Sequence, residues 1–142
     1  MLDNRILLSA LLAWLVAQTA KLTIALVRTH RMDFRYLVSS GGMPSAHSAL
    51  VTALATAVAR VEGLGSALFA VSAVFAAVVM YDAAGVRQAV SVQARILNRM
   101  LDEIFTQHEF HESRLLELLG HTRLEVFIGA VVGVAAGILG TP

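Results

Sequence analysis

The chain contains no cysteine, which excludes disulfide staples, thiolate metal sites and a thiol nucleophile. Its only prolines are Pro44 and Pro142, so almost nothing in it would interrupt a helix. Charged residues make up 15% of the 142, too few for an ordinary water-facing surface, and aromatics only 6%. No long basic run occurs and the formal net charge is +1, which argues against nucleic acid as a partner. There is no internal repeat and no low-complexity segment.

Aliphatic residues fill the space instead. The chain is 57% hydrophobic with a mean hydropathy of +0.71, which makes the bilayer the first hypothesis for solvent. Four stretches, 6–27, 44–60, 66–82 and 122–140, could cross or deeply enter a membrane. A spanning helix needs about 20 apolar residues, so the middle two are short or tilted. Ala, Val and Leu without a period of two favour helices over barrel strands. The expectation is a single all-α domain over 1–142, an integral, multi-pass membrane bundle of four to five helices. The start, "MLDNRILLSALLAWLVAQTAK", has the look of a signal peptide. The apolar pattern resumes as "LTIALV" after Lys21 with no convincing cleavage site, so the segment reads as a retained helix.

The segments between these stretches differ. "RTHRMDFRYLVSSGG" is cationic and ends in glycines, and "VEGLGS" reads as a tight turn. Around Val86, Val90, Ile96, Leu97 and Leu101, apolar residues mix with Arg87, Gln93, Arg95, Asn98 and Arg99. That pattern predicts an amphipathic helix along the interface or beside the bundle. His108, Glu109, His111 and Glu112 of "HEFHE" have spacing for a divalent ion, but the run departs from H-E-x-x-H and reads better as a solvated helical face. Gly129, Gly133 and Gly137 recur every fourth residue and offer one face for close helix approach, which also leaves a homo-oligomer open.

If the four helices cross alternately, the end of the first, the start of the second, the end of the third and the start of the fourth share one membrane face. The unusual polar residues stand at those places: Lys21 and Arg28, Ser45 and His47, Asp82 and Arg87, His121 and Glu125. Ionisable residues near membrane depth are costly and usually functional. Lys21 and Arg28 lie two turns apart on one face, where they could be snorkelling cations or could converge on one anion. In "GGMPSAHSAL", Pro44 suits the first helical position, which would leave the Ser45 and Ala46 amides unpaired as an anion pocket within reach of His47. His121 and Glu125, four apart, could fix one ring nitrogen and leave the other free as a nucleophile.

In this order the pieces resemble the type 2 phosphatidic acid phosphatase (PAP2) superfamily, whose pattern runs K-x6-R-P, P-S-G-H and S-R-x5-H-x3-D. Lys21-x6-Arg28 lacks the proline, Pro44-Ser45-Ala46-His47 has Ala for Gly, and His121-x3-Glu125 has Glu for Asp. "GGMPSAHSA", "YDAAGVRQ" and "LLGHTRLEV" are similar to hallmarks of its divergent group of small membrane proteins over nearly the whole length. Ser113-Arg114 stands one residue too far from His121, so Arg87 is the preferred third-motif arginine and Arg114 the second choice.

The resemblance implies hydrolysis of a lipid phosphate or prenyl (pyro)phosphate through a phosphohistidine, with no cofactor or metal required. His121 would attack, Glu125 orient it and His47 act as general acid and base. Lys21, Arg28, Ser45, Ala46 and Arg87 would bind the phosphoryl oxygens, and Asp82 would either hold Arg87 or serve only to end its helix. The implied partners are the bilayer and an anionic lipid substrate. The alternative is a non-catalytic membrane protein that binds an anionic lipid or scaffolds partners.

Overall fold

The computed structural model describes residues 4–29, 42–104 and 120–142. Every regular element among them is helical: α1 (Arg5–Thr29), α2 (Ala46–Glu62), α3 (Ala67–Ala84), α4 (Val86–Ile104) and α5 (Arg123–Gly140). The helix ends have local causes. Asn4 Oδ1 accepts from Leu7 N at 3.0 Å at the start of α1, and Ser66 Oγ accepts from Phe69 N at 3.1 Å at the start of α3. Gly63 ends α2 at φ 86°, a conformation that only glycine adopts cheaply, and the Ser66 hydroxyl closes the turn onto the Gly63 carbonyl.

Three helical runs, Arg5–Val27, Ala67–Leu101 and Arg123–Gly140, are long and apolar enough to cross a membrane. The protein is an all-α, multi-pass integral membrane bundle. Its centre is the 17-residue α2, which packs against α1, α3 and α5. Small residues do this packing: Ala13 and Ala17 of α1 and Ala46, Ala49 and Ala53 of α2 form the core, with Val132 and Ala136 of α5 against it. The bulky residues face outward, among them Leu11, Leu15, Val71, Val74, Val78, Phe127 and Val131. Without a hydrophobic drive between helices, close backbone packing holds such a bundle together, and large side chains are left to the lipid.

The glycine face of α5 is used inside the chain. A Cβ on Gly129 would run into the Ser45 carbonyl, one on Gly133 into Thr52 Oγ1 and the Ala49 carbonyl, and one on Gly137 into the Thr56 side chain. Those three glycines let α5 lie directly on α2, and Thr52 Oγ1 reaches across to the Ala130 carbonyl at 3.2 Å. The face that the sequence offers for self-association is therefore covered by α2.

One further expectation shifts. The second helix, read as 44–60, begins at Ala46, because Ser45 and not Pro44 closes its first turn. The amphipathic segment is a helix beside the bundle, α4, as the pattern predicts, and what the pattern does not show is how closely it is joined to α3. It follows α3 after the single residue Gly85, and α3 is the one described helix it packs against. Val86, Val90, Ile96, Leu97 and Leu101 are exposed along it, while Ser91, Ala94 and Asn98 are buried. Arg114 and the "HEFHE" residues His108, Glu109, His111 and Glu112 lie outside the described residues.

Candidate active site

Helices α2 and α5 run in the same direction with α1 opposed to them, and the two ends of the bundle have different chemistry. At one end Gly140 abuts Ser9, and Arg60 donates to Thr141 Oγ1 at 3.2 Å and to its carbonyl at 3.4 Å. That end is a structural clamp. At the other end the last turns of α1 and α3 meet the first turns of α2 and α5, the convergence that the spacing of polar residues predicts.

His121 sits at the centre of this end, 1% exposed. Its backbone N donates to the Ala83 carbonyl at 3.3 Å, which ties it to the end of α3 beside the half-buried Asp82. Its Nδ1 lies 3.3 Å from Glu125 Oε2. A carboxylate only accepts, so Nδ1 carries the shared proton and Nε2 is left with its lone pair. Nε2 is sealed from solvent and has no hydrogen-bond partner among the described residues. An orphaned polar atom in so tight a place is costly unless something is meant to meet it.

Lys21 and His47 both act on the His121 ring. The His47 ring, exposed at the start of α2, stands edge-on to the His121 ring with centroids 6.2 Å apart. Lys21 is buried, and its stem runs along Gly42, where an added methyl group would stand in van der Waals contact with it at 3.4 Å. Gly42 adopts φ 95°, a conformation that favours glycine. Burial holds the His121 pKa below the ordinary histidine value. The Glu125 hydrogen bond pulls it up, and the charges of Lys21 and His47 push it down. Burial prevails, so the imidazole is neutral near pH 7.

Ser45 is fully buried and caps α2: its Oγ accepts from Ser48 N at 3.3 Å and lies 3.0 Å from Ser48 Oγ. One expectation fails here. The Ser45 amide is not an open anion donor, because it donates to the Glu125 carbonyl at 3.0 Å. That bond fixes the start of α2 against the first turn of α5, and Gly129 one turn on makes room for it. With the helix starting at Ala46, the Ala46 amide is the first of the donors that α2 itself cannot satisfy.

Lys21, Ser45, Ala46, His47, His121 and Glu125 are thus brought to one end of the bundle. Arg28 lies in the last turns of α1 and Arg87 in the first turn of α4, with side chains outside the described residues. Among the described residues no group of three His, Asp, Glu or Cys side chains could hold a metal. Sequence reasoning passed over Thr122, although "TRLEVFIG" carries the T-x-x-E signature of a capped helix start.

The chain is 41% identical over 145 residues to a protein of Bacillus subtilis (strain 168) described as "Uncharacterized membrane protein YuiD", an alignment covering 94% of this chain and 92% of that protein. No solved structure matches it significantly. The model of the "Divergent PAP2 family" matches residues 2–136, nearly the whole bundle and every polar residue gathered at its end, and the chain belongs to that family.

Proposed function

We propose that this protein is a membrane phosphatase that hydrolyses a lipid phosphate or prenyl (pyro)phosphate through a phosphohistidine on His121. The observation that carries the reading is the buried imidazole near Lys21 and His47, with Nδ1 on Glu125 and Nε2 without a partner among the described residues. A neutral, oriented imidazole is a competent nucleophile, and buried cations suit the charge spread over a transferring phosphoryl group.

In the first step His121 Nε2 forms a bond to phosphorus while the ester P–O bond breaks. The departing oxygen takes a proton from His47, and the product alcohol leaves. In the second step His47 accepts a proton from water, whose oxygen attacks phosphorus. The P–N bond breaks, inorganic phosphate is released and the imidazole is restored. Lys21 and Ser45 hold the phosphoryl oxygens together with the Ala46 amide, and the arginines Arg28, Arg87 or Arg114 complete the cradle. Exposed aliphatic side chains around the bundle suit a substrate that arrives from the bilayer.

The test is phosphate release from a panel of lipid phosphates in nanodiscs by the wild type and by His121→Ala. Activity in the wild type should fall by at least about a thousandfold in the variant, as for loss of a covalent nucleophile. Release that survives unchanged in His121→Ala overturns the assignment. The sealing of Nε2 favours a second reading, a non-catalytic binder of anionic lipid headgroups. Vanadate binding without any phosphate release would establish that one instead.

A further inference from the structure

Thr122 stands in the middle of the polar end and has no part in the chemistry above. It is the N-cap of α5: its Oγ1 accepts from Glu125 N at 3.2 Å, and its backbone N donates to Glu125 Oε2 at 2.9 Å. The two bonds form a reciprocal capping box. The oxygen that closes the box, Oε2, is also the one that faces His121 Nδ1 at 3.3 Å. One carboxylate oxygen therefore serves two donors on adjacent residues.

A glutamate side chain has three rotatable bonds, and an unanchored one would visit many positions from which it could not meet the ring. The capping box removes that freedom before any substrate arrives. Glutamate is also the residue that reaches back from the third helical position to the cap amide, which gives the longer side chain a reason to stand here. We propose that Thr122 is a positioning residue: by closing the capping box at the start of α5 it fixes Glu125 Oε2, and through that oxygen it sets the orientation and tautomer of His121. The consequence for turnover rests on His121 being the nucleophile, whereas the consequence for its tautomer does not.

Among the described residues the groups facing His121 are Glu125 from α5, Lys21 from α1, His47 from α2 and the Ala83 carbonyl of α3. Loosening Glu125 removes the contribution that raises the His121 pKa and leaves burial and the two cations unopposed. The experiment uses the full chain in nanodiscs with 15N-labelled histidine, reading the His121 tautomer and titration by NMR alongside phosphate release. Thr122→Gly deletes the hydroxyl bond to the Glu125 amide and loosens the cap backbone whose amide donates to Oε2, while sparing the helix start, since glycine is a tolerable cap. Its His121 should show a weaker preference for a proton on Nδ1 and titrate at lower pH, with kcat down about twofold, in keeping with the small cost of glycine at a cap, and KM little changed. Thr122→Ser should restore both.

A wild-type tautomer and titration in Thr122→Gly overturns the proposal. A measurement on the wild type alone guards against a variant that does not fold: the Thr122 amide shift should follow the His121 titration, and an amide that ignores it is equally fatal. A wild type that meets these NMR expectations yet releases no phosphate removes the hydrolase reading and leaves the positioning role standing.

Discussion

Helices α2 and α3 are consecutive, differ by one residue in length and are both apolar, yet they occupy opposite environments. Along α2 most buried residues are small or hydroxylated, Ala46, Ser48, Ala49, Thr52, Ala53 and Ala57, with Val51 and Val58 beside them. Only Ser72, Ala76 and Ala83 are buried on α3, while Leu68, Val71, Val74, Phe75 and Val78 point out. In a bilayer the greasier helix is the outer one. Small and polar residues mark where backbones touch, and the site grows from the end of that contact, where Ser45 meets the first turn of α5.

The contrast can be broken most severely at the α2–α5 contact. Gly133→Val would drive a branched side chain into Thr52 and the Ala49 carbonyl and should cost about 3 kcal/mol or more. Thermal unfolding in detergent would show it as loss of the cooperative transition, and a wild-type melting curve would refute the packing described here.

A smaller effect should come from acid. The His121 pKa is lowered on folding, so the unfolded chain binds this proton more readily, and stability is complete above the ordinary value of about 6.5. That contribution is lost as pH falls from there through the folded value, and the nucleophile is protonated over the same interval. Unfolding free energy and phosphate release should both decline on the acid side, and the stability decline should flatten in His121→Gln. A variant with the wild-type slope would place the proton elsewhere.

The smallest effect sharpens the other half of the contrast. Val74→Ala on the outer face of α3 should stay within about 0.5 kcal/mol of the wild type, because lipid fills the space it leaves. A larger loss would mean that this face is covered.

Composition and period sufficed for the helices, because 25 residues from Arg5 to Thr29 without Pro or Gly have one economical state in a membrane. The gathering of Lys21, His47, His121 and Glu125 was legible because alternating helices force their ends together. The start of α2 was not, since Pro44 fits both the first helical position and the approach to it, and Ser45 is chosen by its amide bond to Glu125, 80 residues away in sequence. The local pattern around Gly85 likewise could not show that α4 follows α3 directly. The capping box at Thr122 was open to reading but was eclipsed by the His121–Glu125 spacing that overlaps it.

The two histidines at the polar end offer the experimenter a pair of chemical reporters. Their ring centres are 6.2 Å apart, but His47 is open to solvent and His121 is not. A water-soluble acylating reagent should label His47 at once and His121 only when the bundle breathes. The ratio of the two adducts over time would then measure how often the buried imidazole is uncovered, before any substrate is known.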